Sequence, residues 1–541
     1  MRRALVVACV LSVAATCGPP FMRATAPTAT ARDDAPPLID FSHAGYGGGG
    51  VPLPEVAAVV SVRPSGGDDT ALLQAALDHV ASLPPRADGF RGAVHLAAGR
   101  FMVAGGLRVR AGGVVLRGSS EGGRRTTVVA TGTGRRTLIE VGGDGAPASA
   151  KAVRVTDKTV PAGGRTLTLE SVEGLAAGDR VVVRRPSTAE WIAALEMNRA
   201  AGAFADQRLH WLPGSRDLVW DRTVVEIDGG RKRITLDAPV TTALEQRYGG
   251  GEVAKVVSGE IVNRVGVEGL VLESEFDRAN PRDEEHAWIA VALDHVEDAW
   301  VRGVVARHFA GSAARVGQRA RRVTVEDCRN EQPVSEVGGY RRQSFLVEGQ
   351  QVLVRVCAAE GGLNDFAVGL LAAGPNVFMD CTAKNALGAS GSFESWASGV
   401  LYERVRIEGA PLRLTKDEAR AQGGGWTAAN SVVWNSEAKE IEARGPEGAA
   451  NVVRKSPQSL YETQFFKRLG RQPKELFKQP KPAPTVRVVE FKFKKGASLK
   501  SGSAAAVSRP LKIVNGRFVV EGRVVWGGML NGAWWKGQTS P

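Results

Sequence analysis

Ten residues have the types and spacing to do chemistry on a charged sugar. They are His308, Glu336, Arg341, Arg342, Asn364, Asp365, Glu394, Trp396, Trp426 and Asn430, spread over some 120 positions. A guanidinium presents a planar fork that matches a carboxylate, so the adjacent Arg341 and Arg342 suit a uronate or another anionic group. His308 has the range of a general base near neutral pH, and Asp365 and Glu394 can orient, donate or accept protons, or ligate a hard cation. Trp396 and Trp426 offer flat faces for ring stacking, with Asn364, Asn430 and Glu336 as polar contacts. Each has a plainer reading: His308 as a packed ring beside Phe309, Asp365 as a turn cap, the arginines as surface charge.

Residues so far apart share a site only if the chain returns them to one edge, and the cysteines indicate how. The sequence has 541 residues, 65 of them glycine, with 43% hydrophobic residues and a formal net charge of +13. That composition is globular and rich in turns. Cys328, Cys357 and Cys381 follow one another at intervals of 29 and 24 residues, and each closes a short apolar strand: Val323 to Cys328, Val352 to Cys357, Asn376 to Cys381. Val400 to Val405 and Ser431 to Ser436 extend the frame downstream, and Val301 to Ala306 and Val267 to Leu272 extend it upstream. A strand recurring at this spacing between Gly- and Asn-rich turns predicts stacked coils, because one coil cannot bury its own apolar face. The cysteines then act as small inward-facing hydrophobes, not as a disulfide framework or a zinc site. The expected fold is all-β, a right-handed parallel β-helix in which the ten residues fall on successive turns.

The N-terminal part strengthens this. Gly67-Asp-Asp-Thr70 starts an amphipathic helix over 71–78, followed by Gly92-Ala-Val-His-Leu96, Gly99-Arg-Phe101 and Val114-Val-Leu-Arg-Gly118. Together with the coils over 260–440, these segments resemble the pectate-lyase-like β-helix superfamily, in which such a helix caps the open end of the solenoid. The segments Gly339 to Phe345, Asn364-Asp-Phe366, Glu394-Ser-Trp-Ala-Ser-Gly399 and Gly425 to Asn430 resemble a poorly characterised bacterial secreted branch. That branch carries histidines before Asp-Phe and before Trp-Ala, where this chain has Asn364 and Phe393-Glu394-Ser395. The superfamily includes lyases, hydrolases, transferases, epimerases and phage tailspikes. The central coils lack the Asn-Thr-Asp, Gly-His-Gly and Asp-Asp motifs of its hydrolases and the Arg-x-Pro-x-x-Arg motif of typical pectate lyases.

Residues 1–31 read as a signal peptide, with Met1-Arg2-Arg3 before an apolar run, which predicts a secreted or periplasmic protein; lipid attachment at Cys17 is the alternative. Residues 32–149 form the cap and first coils, and 150–257 an inserted small β domain with Trp191, His210, Trp211 and Trp220 either stacking on sugars or filling its core. Residues 258–454 form the main coils with the site, and 455–541 a basic linker and closing hairpin. From Arg454 to Lys500 there are 13 Lys or Arg against Glu462, Glu475 and Glu490, a net of +10. Without a recognition motif this segment does not predict nucleic-acid binding, and no run past the N-terminus is long enough to span a bilayer.

The expected function is β-elimination in a uronate-containing polysaccharide, with Arg341 or Arg342 neutralising the carboxylate and His308 or an arginine as base. Asp365 or Glu394 would orient the groups or ligate Ca2+, although no Asp-x-Asp-x-Asp-Gly run is present. A glycoside hydrolase using Asp365 and Glu394, and a non-catalytic polysaccharide-binding protein, are the alternatives.

Overall fold

A computed structural model describes residues 39–471 apart from 146, 199–210, 260, 418–421, 423 and 456–457. It also gives the backbone of strands 489–491, 512–514, 517–519, 524–530 and 533–539. The segment read as a signal peptide, His210 and most of the basic tail lie outside these residues.

Three parallel sheets run along the molecule, and the chain visits them in turn. The coil through the cysteine region shows the pattern: Arg321–Glu326 in the first sheet, Arg329–Glu331 in the second, Phe345–Val347 in the third, then Leu353–Arg355 back in the first. Each strand pairs in register with its counterpart one coil on, as in Val325↔Val354 and Val347↔Val368. This is the predicted β-helix. Inward Val, Leu, Ala and Phe side chains from all three sheets make one continuous core. Within it Phe345 stacks on Phe366 at 5.9 Å and Phe378 on Tyr402 at 4.8 Å.

The corner between first and second sheets is one residue in the left-handed conformation. Asp327, Val356, Asp380, Arg404 and Asn435 occupy it with φ between 50° and 56° in successive coils, and Gly269 and Gly303 do so upstream. The next residue turns inward, which stacks Cys328, Cys357 and Cys381 as buried free thiols. Each thiol donates back to a carbonyl of its own strand, Cys328 Sγ to Glu326 O at 3.2 Å. Burial, together with the neighbouring thiols, raises the Cys357 pKa, so the column is apolar and inert.

The cysteine frame needs one correction. Val301 pairs with Val325, not Val323, and Val267 pairs with Val301. Val304 and Leu270 therefore occupy the cysteine position upstream, not Ala306 and Leu272. A slip of two residues preserves the in/out alternation of a strand, so apolar pattern alone does not detect it. The left-handed glycines at 269 and 303 are what fix the register.

The helix Thr70–Ser82 covers the first coils with Leu72, Leu73, Ala76, Leu77 and Val80 buried, and Asp68 accepts the Thr70 N–H at 3.0 Å. At the other end, helix Leu460–Leu469 folds back across the outer face of the first sheet. Tyr461 donates to Ala44 O at 3.1 Å, and Gln464 accepts the Phe41 N–H at 2.9 Å. The strand Val489–Phe491 adds to the edge strand Ala58–Val62. Farther on, Lys512–Val514 with Arg517–Val519, and Val524–Leu530 with Ala533–Thr539, pair as two antiparallel hairpins. Among the described residues no helix is long and apolar enough to cross a membrane.

Between Ala148 and Ser258 the chain leaves the coils to build a separate antiparallel sheet, whose longest strands are Arg180–Arg185, Leu218–Asp228 and Glu252–Ser258. Trp191, Trp211 and Trp220 are buried in the core beneath it, so of the two readings of these aromatics the packing one holds. Arg222, wholly buried, clamps the insert to the coils. It donates to Ala238 O, Pro239 O and Gly374 O and to Gln350 Oε1, all within 3.2 Å.

The corner geometry makes a stability prediction. Val356 is β-branched and holds φ of 53°, a conformation costly for such a residue. Its side chain is exposed, so Val356→Asn removes strain without removing packing. The variant should be more stable by about 1 kcal/mol in urea unfolding; an unchanged midpoint would show that this corner is not strained.

Candidate functional site

The ten sequence-derived residues divide between two edges of the third sheet. On the edge where the chain arrives from the second sheet lie His308, Glu336, Arg341, Arg342, Asn364 and Asp365. Across the sheet, where the chain departs for the first sheet, lie Glu394, Trp396, Trp426 and Asn430.

Most are committed to structural partners. Arg341 pairs with Glu284, its Nη2 2.9 Å from Oε2, and its guanidinium lies 5.5 Å from the Trp288 ring. Arg342 binds Ser335 through its hydroxyl at 3.0 Å and its carbonyl at 2.8 Å. Neither is free to neutralise a uronate. The His308 ring, partly exposed, rests 5.1 Å from Phe276, a different partner from the Phe309 expected from the sequence, with Nε2 3.3 Å from Gln332 Oε1. Glu336 is exposed, 3.6 Å from Arg282. Asn364 bonds the backbone of Gly391 on both sides, accepting from its N–H at 3.2 Å.

Asp365 points into the core and is 0% exposed. Ser344 donates to its Oδ1 at 2.6 Å, while Oδ2 is buried without a partner. Burial pushes its pKa up to about 6, partly offset by the Ser344 hydrogen bond. It is a buried carboxyl, not a groove acid. Trp396 is equally enclosed, edge-on to Trp191 at 5.7 Å, so it offers no face to a sugar. Trp426 packs against the same core, and Asn430 donates to Thr241 O at 2.9 Å. These three hold the insert in place. Glu394, half-buried, accepts from the Tyr340 hydroxyl at 2.6 Å, and burial raises its pKa.

A cleft of about 360 Å³ between the insert and the departing edge of the third sheet is lined by His295, Arg319 and Glu348, with Asp294 beside it and not on its lining. Leu293, Val316, Val347 and Val368 are inward residues of successive coils, linked by Leu293↔Val316, Val316↔Val347 and Val347↔Val368. The residue after each points outward, giving the column Asp294, Gly317, Glu348, Gly369. The backbones at Asp294 and Glu348 thus stand two coils apart with Gly317 between them, about 9.6 Å at a strand spacing of ~4.8 Å. A Cβ at Gly317 would lie 2.8 Å from Asp294 Cγ, so only glycine fits there while Asp294 keeps this position.

The two carboxyls differ in setting. The Glu348 side chain is 3% exposed, and burial raises its pKa, with Arg315 at 3.0 Å lowering it and Asp294 adding to the rise. The Asp294 side chain is 42% exposed and accepts the Arg319 N–H at 2.9 Å. His295 Nδ1 lies 3.5 Å from Asp294 Oδ2; burial lowers the His295 pKa, and its Nε2 is enclosed without a partner. Of the arginines lining the cleft, Arg180 and Arg321 are both tied to Asp221, whereas Arg319, its side chain 54% exposed, has Nε 3.8 Å from Asp294 Oδ2. A recessed acid, an exposed acidic residue and a cation beside it can together bind an anionic sugar and move protons at its glycosidic bond.

Sequence reasoning missed Asp294, His295, Arg315, Arg319 and Glu348. The signal was present as Leu-Asp, Val-Gly, Val-Glu and Val-Gly at 293–294, 316–317, 347–348 and 368–369, one coil apart. Among the described residues no group of three or more His, Cys, Asp or Glu is gathered as a cation site. Asp365, turned into the core, and Glu394, held by Tyr340, do not converge as Ca2+ ligands.

No protein-family model matches the chain, and no curated protein does. Solved structures do. The tailspike protein gp49 from Pseudomonas phage LKA1 shares 16% identity, over 70% of this chain and 57% of its own, at a TM-score of 0.30. An iota-carrageenase of family GH82 from A. fortis shares 10%, over 81% and 72%, at 0.32. An alginate lyase from Paenibacillus sp. str. FPU-7 shares 9%, over 73% and 98%, at 0.31. This chain spans 57% of the first and 61% of a Geobacillus virus E2 protein, ORF18.

Asp365 makes the stability pH-dependent. Its pKa is about 6 when folded, against 3.8 ordinarily, so both states bind the proton below pH 3.8. Between these values only the unfolded chain loses it, and stability falls by about 3 kcal/mol. Asp365→Asn should remove that fall, so the two urea midpoints diverge from pH 4 to 7; parallel curves would place the carboxyl in contact with water.

Proposed function

We propose that the protein cleaves an acidic polysaccharide by hydrolysis, with the glycan lying on the outer face of the third sheet. The observation that carries this reading is the Asp294–Gly317–Glu348 column, two acidic residues borne on strands two coils apart, so that a sugar and a water can lie between their side chains. Glu348, recessed and with its pKa raised, donates its proton to the glycosidic oxygen as the bond to C1 breaks. Asp294 takes a proton from the water whose oxygen forms the new bond to C1, which inverts the configuration there. Arg315 on the floor and Arg319 at the rim supply cations for the carboxylates or sulfates of the chain. The leader-like N-terminus supports a substrate met outside the cytoplasm.

β-Elimination from a uronate is the second reading. It is favoured by the exposed Arg319 beside His295, a cation to neutralise the acid group next to an imidazole that burial keeps neutral. The enclosed Nε2 and the Asp294-facing Nδ1 place that reading second, because neither nitrogen opens to the groove.

The protein is incubated with polygalacturonate, alginate and hyaluronate, with reducing ends and the ultraviolet absorbance of unsaturated uronates followed together. Hydrolysis gives reducing ends without absorbance, elimination gives both, and binding without either leaves a non-catalytic protein. Glu348→Gln and Asp294→Asn should each lower the rate about 10²- to 10⁴-fold with melting unchanged. In the wild type the rate should fall as pH rises through the elevated Glu348 pKa, since the acid must hold its proton. Full activity in both variants would remove the pair from the site.

A further inference from the structure

The outward column along the middle of the third sheet changes character part-way. In its first four coils it presents Arg108, Glu140, Ala292 and Arg315, consecutive partners that reach solvent. In the next coils it presents Leu346 and Ala367, and beside them Phe393, which form a cluster exposed by 6%, 0% and 6%. Outward apolar side chains are that enclosed only beneath a cover. The chain between Glu331 and Phe345, which joins second to third sheet, is the longest connection at that corner in these coils. Its two feet are pinned, Val334 O by the His286 ring at 3.1 Å and Arg341 by Glu284. Its tip carries Gly338 and Gly339, with Val337 and Tyr340 both more than half exposed. From the arriving edge Tyr340 reaches Glu394 on the departing edge, two coils farther on, with a hydrogen bond of 2.6 Å.

We infer that residues 332–344 form a strap latched across the third sheet by Tyr340 and Glu394, closing one end of the groove so that the protein takes polysaccharide chain ends instead of gripping chains mid-length. This rests on the reading above that the glycan lies on this face. The open floor runs from Arg108 to Arg315, and Glu348 stands at the first covered coil, so a glycan on that floor meets the strap where it meets the acid. Charge on the floor is interrupted at the same place. The next outward positions are Leu346, Ala367 and Gly391, and charge returns only at the Arg413–Glu442 pair, on the far side of the latch.

The test uses the full chain, Tyr340→Phe and Glu394→Gln on polygalacturonate, alginate and hyaluronate, with products resolved by size and viscosity followed. The wild type should release one short product size from the first time points with a slow fall in viscosity. Both variants, melting within a few degrees of the wild type, should lose that single size and give mixed lengths with a faster fall. Mixed lengths from the wild type at the outset, or an unchanged single size in both variants, would overturn the strap as an end-stop. Calorimetry with the same polymers and their short oligomers, on Asp294→Asn, gives a reading independent of turnover. One protein bound per chain at every polymer length supports the closed end, and several per long chain overturns it. Cleavage failing while end-binding persists would sink the hydrolytic reading and leave the strap; absence of both removes the two together.

Discussion

Coil-to-coil registry is the constraint on which everything else in this molecule depends. Parallel strands have no hairpin to set their register, so each coil must be held to the next by its own backbone ladder and by identical corners. Here the corner between first and second sheets is a single left-handed residue, repeated in seven coils from Gly269 to Asn435. It turns the chain in one step and sends the following residue inward. Val304, Cys328, Cys357, Cys381 and Val405 then superpose as a column of small buried groups. The same registry, read at the far edge of the third sheet, superposes Asp294, Gly317, Glu348 and Gly369. Core and groove are two columns of one lattice, and an extra residue within a strand or at this corner would displace both, whereas the connection at 332–344 takes up extra length without doing so.

The insert shows how a second constraint is laid on the first. Its contact with the coils carries a wholly buried guanidinium, Arg222, whose pKa burial lowers to about 10, with carboxylates at Asp237 and Asp221 nearby. Burying a cation is costly unless its donors are met, and Arg222 donates to four backbone carbonyls and an amide oxygen. Such an arrangement tolerates little displacement, which makes the insert a fixed wall of the cleft. The wall is braced further by Arg321, which reaches both Asp221 of the insert and Glu297 of the coils. Trp396 and Asn430, which by type suit a sugar site, serve this bracing. Their aromatic face and amide are spent on Trp191, Thr242 and Thr241.

The fold was legible because its signals repeat. Cysteines at matching strand ends, a capped amphipathic helix and glycine-rich turns all gave the same answer, and the antiparallel character of the insert followed from its alternating strands. The upstream register was not legible from apolar pattern, since a shift of two residues is invisible to it; Gly269 and Gly303 held that information. The site was less legible. Residue type drew attention to Arg341, Asp365 and Trp396, but type does not report which way a side chain points. Asp365 lies one position before the inward Phe366 and still turns into the core, because the chain is rounding a corner there and strict alternation fails. Asp294 and Glu348 drew no attention, since each is an ordinary acidic residue until the coils are stacked.

Two carboxyls on one edge acquire different chemistry through their neighbours alone. Glu348 lies toward the strap, where Tyr340 and the apolar cluster limit water, and its charge is opposed by desolvation more than Arg315 favours it. Asp294 lies toward the open coils, where the Arg319 backbone and solvent reach it. The strap therefore does more than bound the groove. By keeping water from Glu348 while Asp294 stays open to it, the strap gives unlike surroundings to two groups that the repeat would otherwise make equivalent. A lattice of nearly identical coils has no intrinsic means of telling one rung from the next. An irregular connection laid over part of it supplies that difference, and places the asymmetry that acid–base chemistry requires at the boundary between covered and open coils.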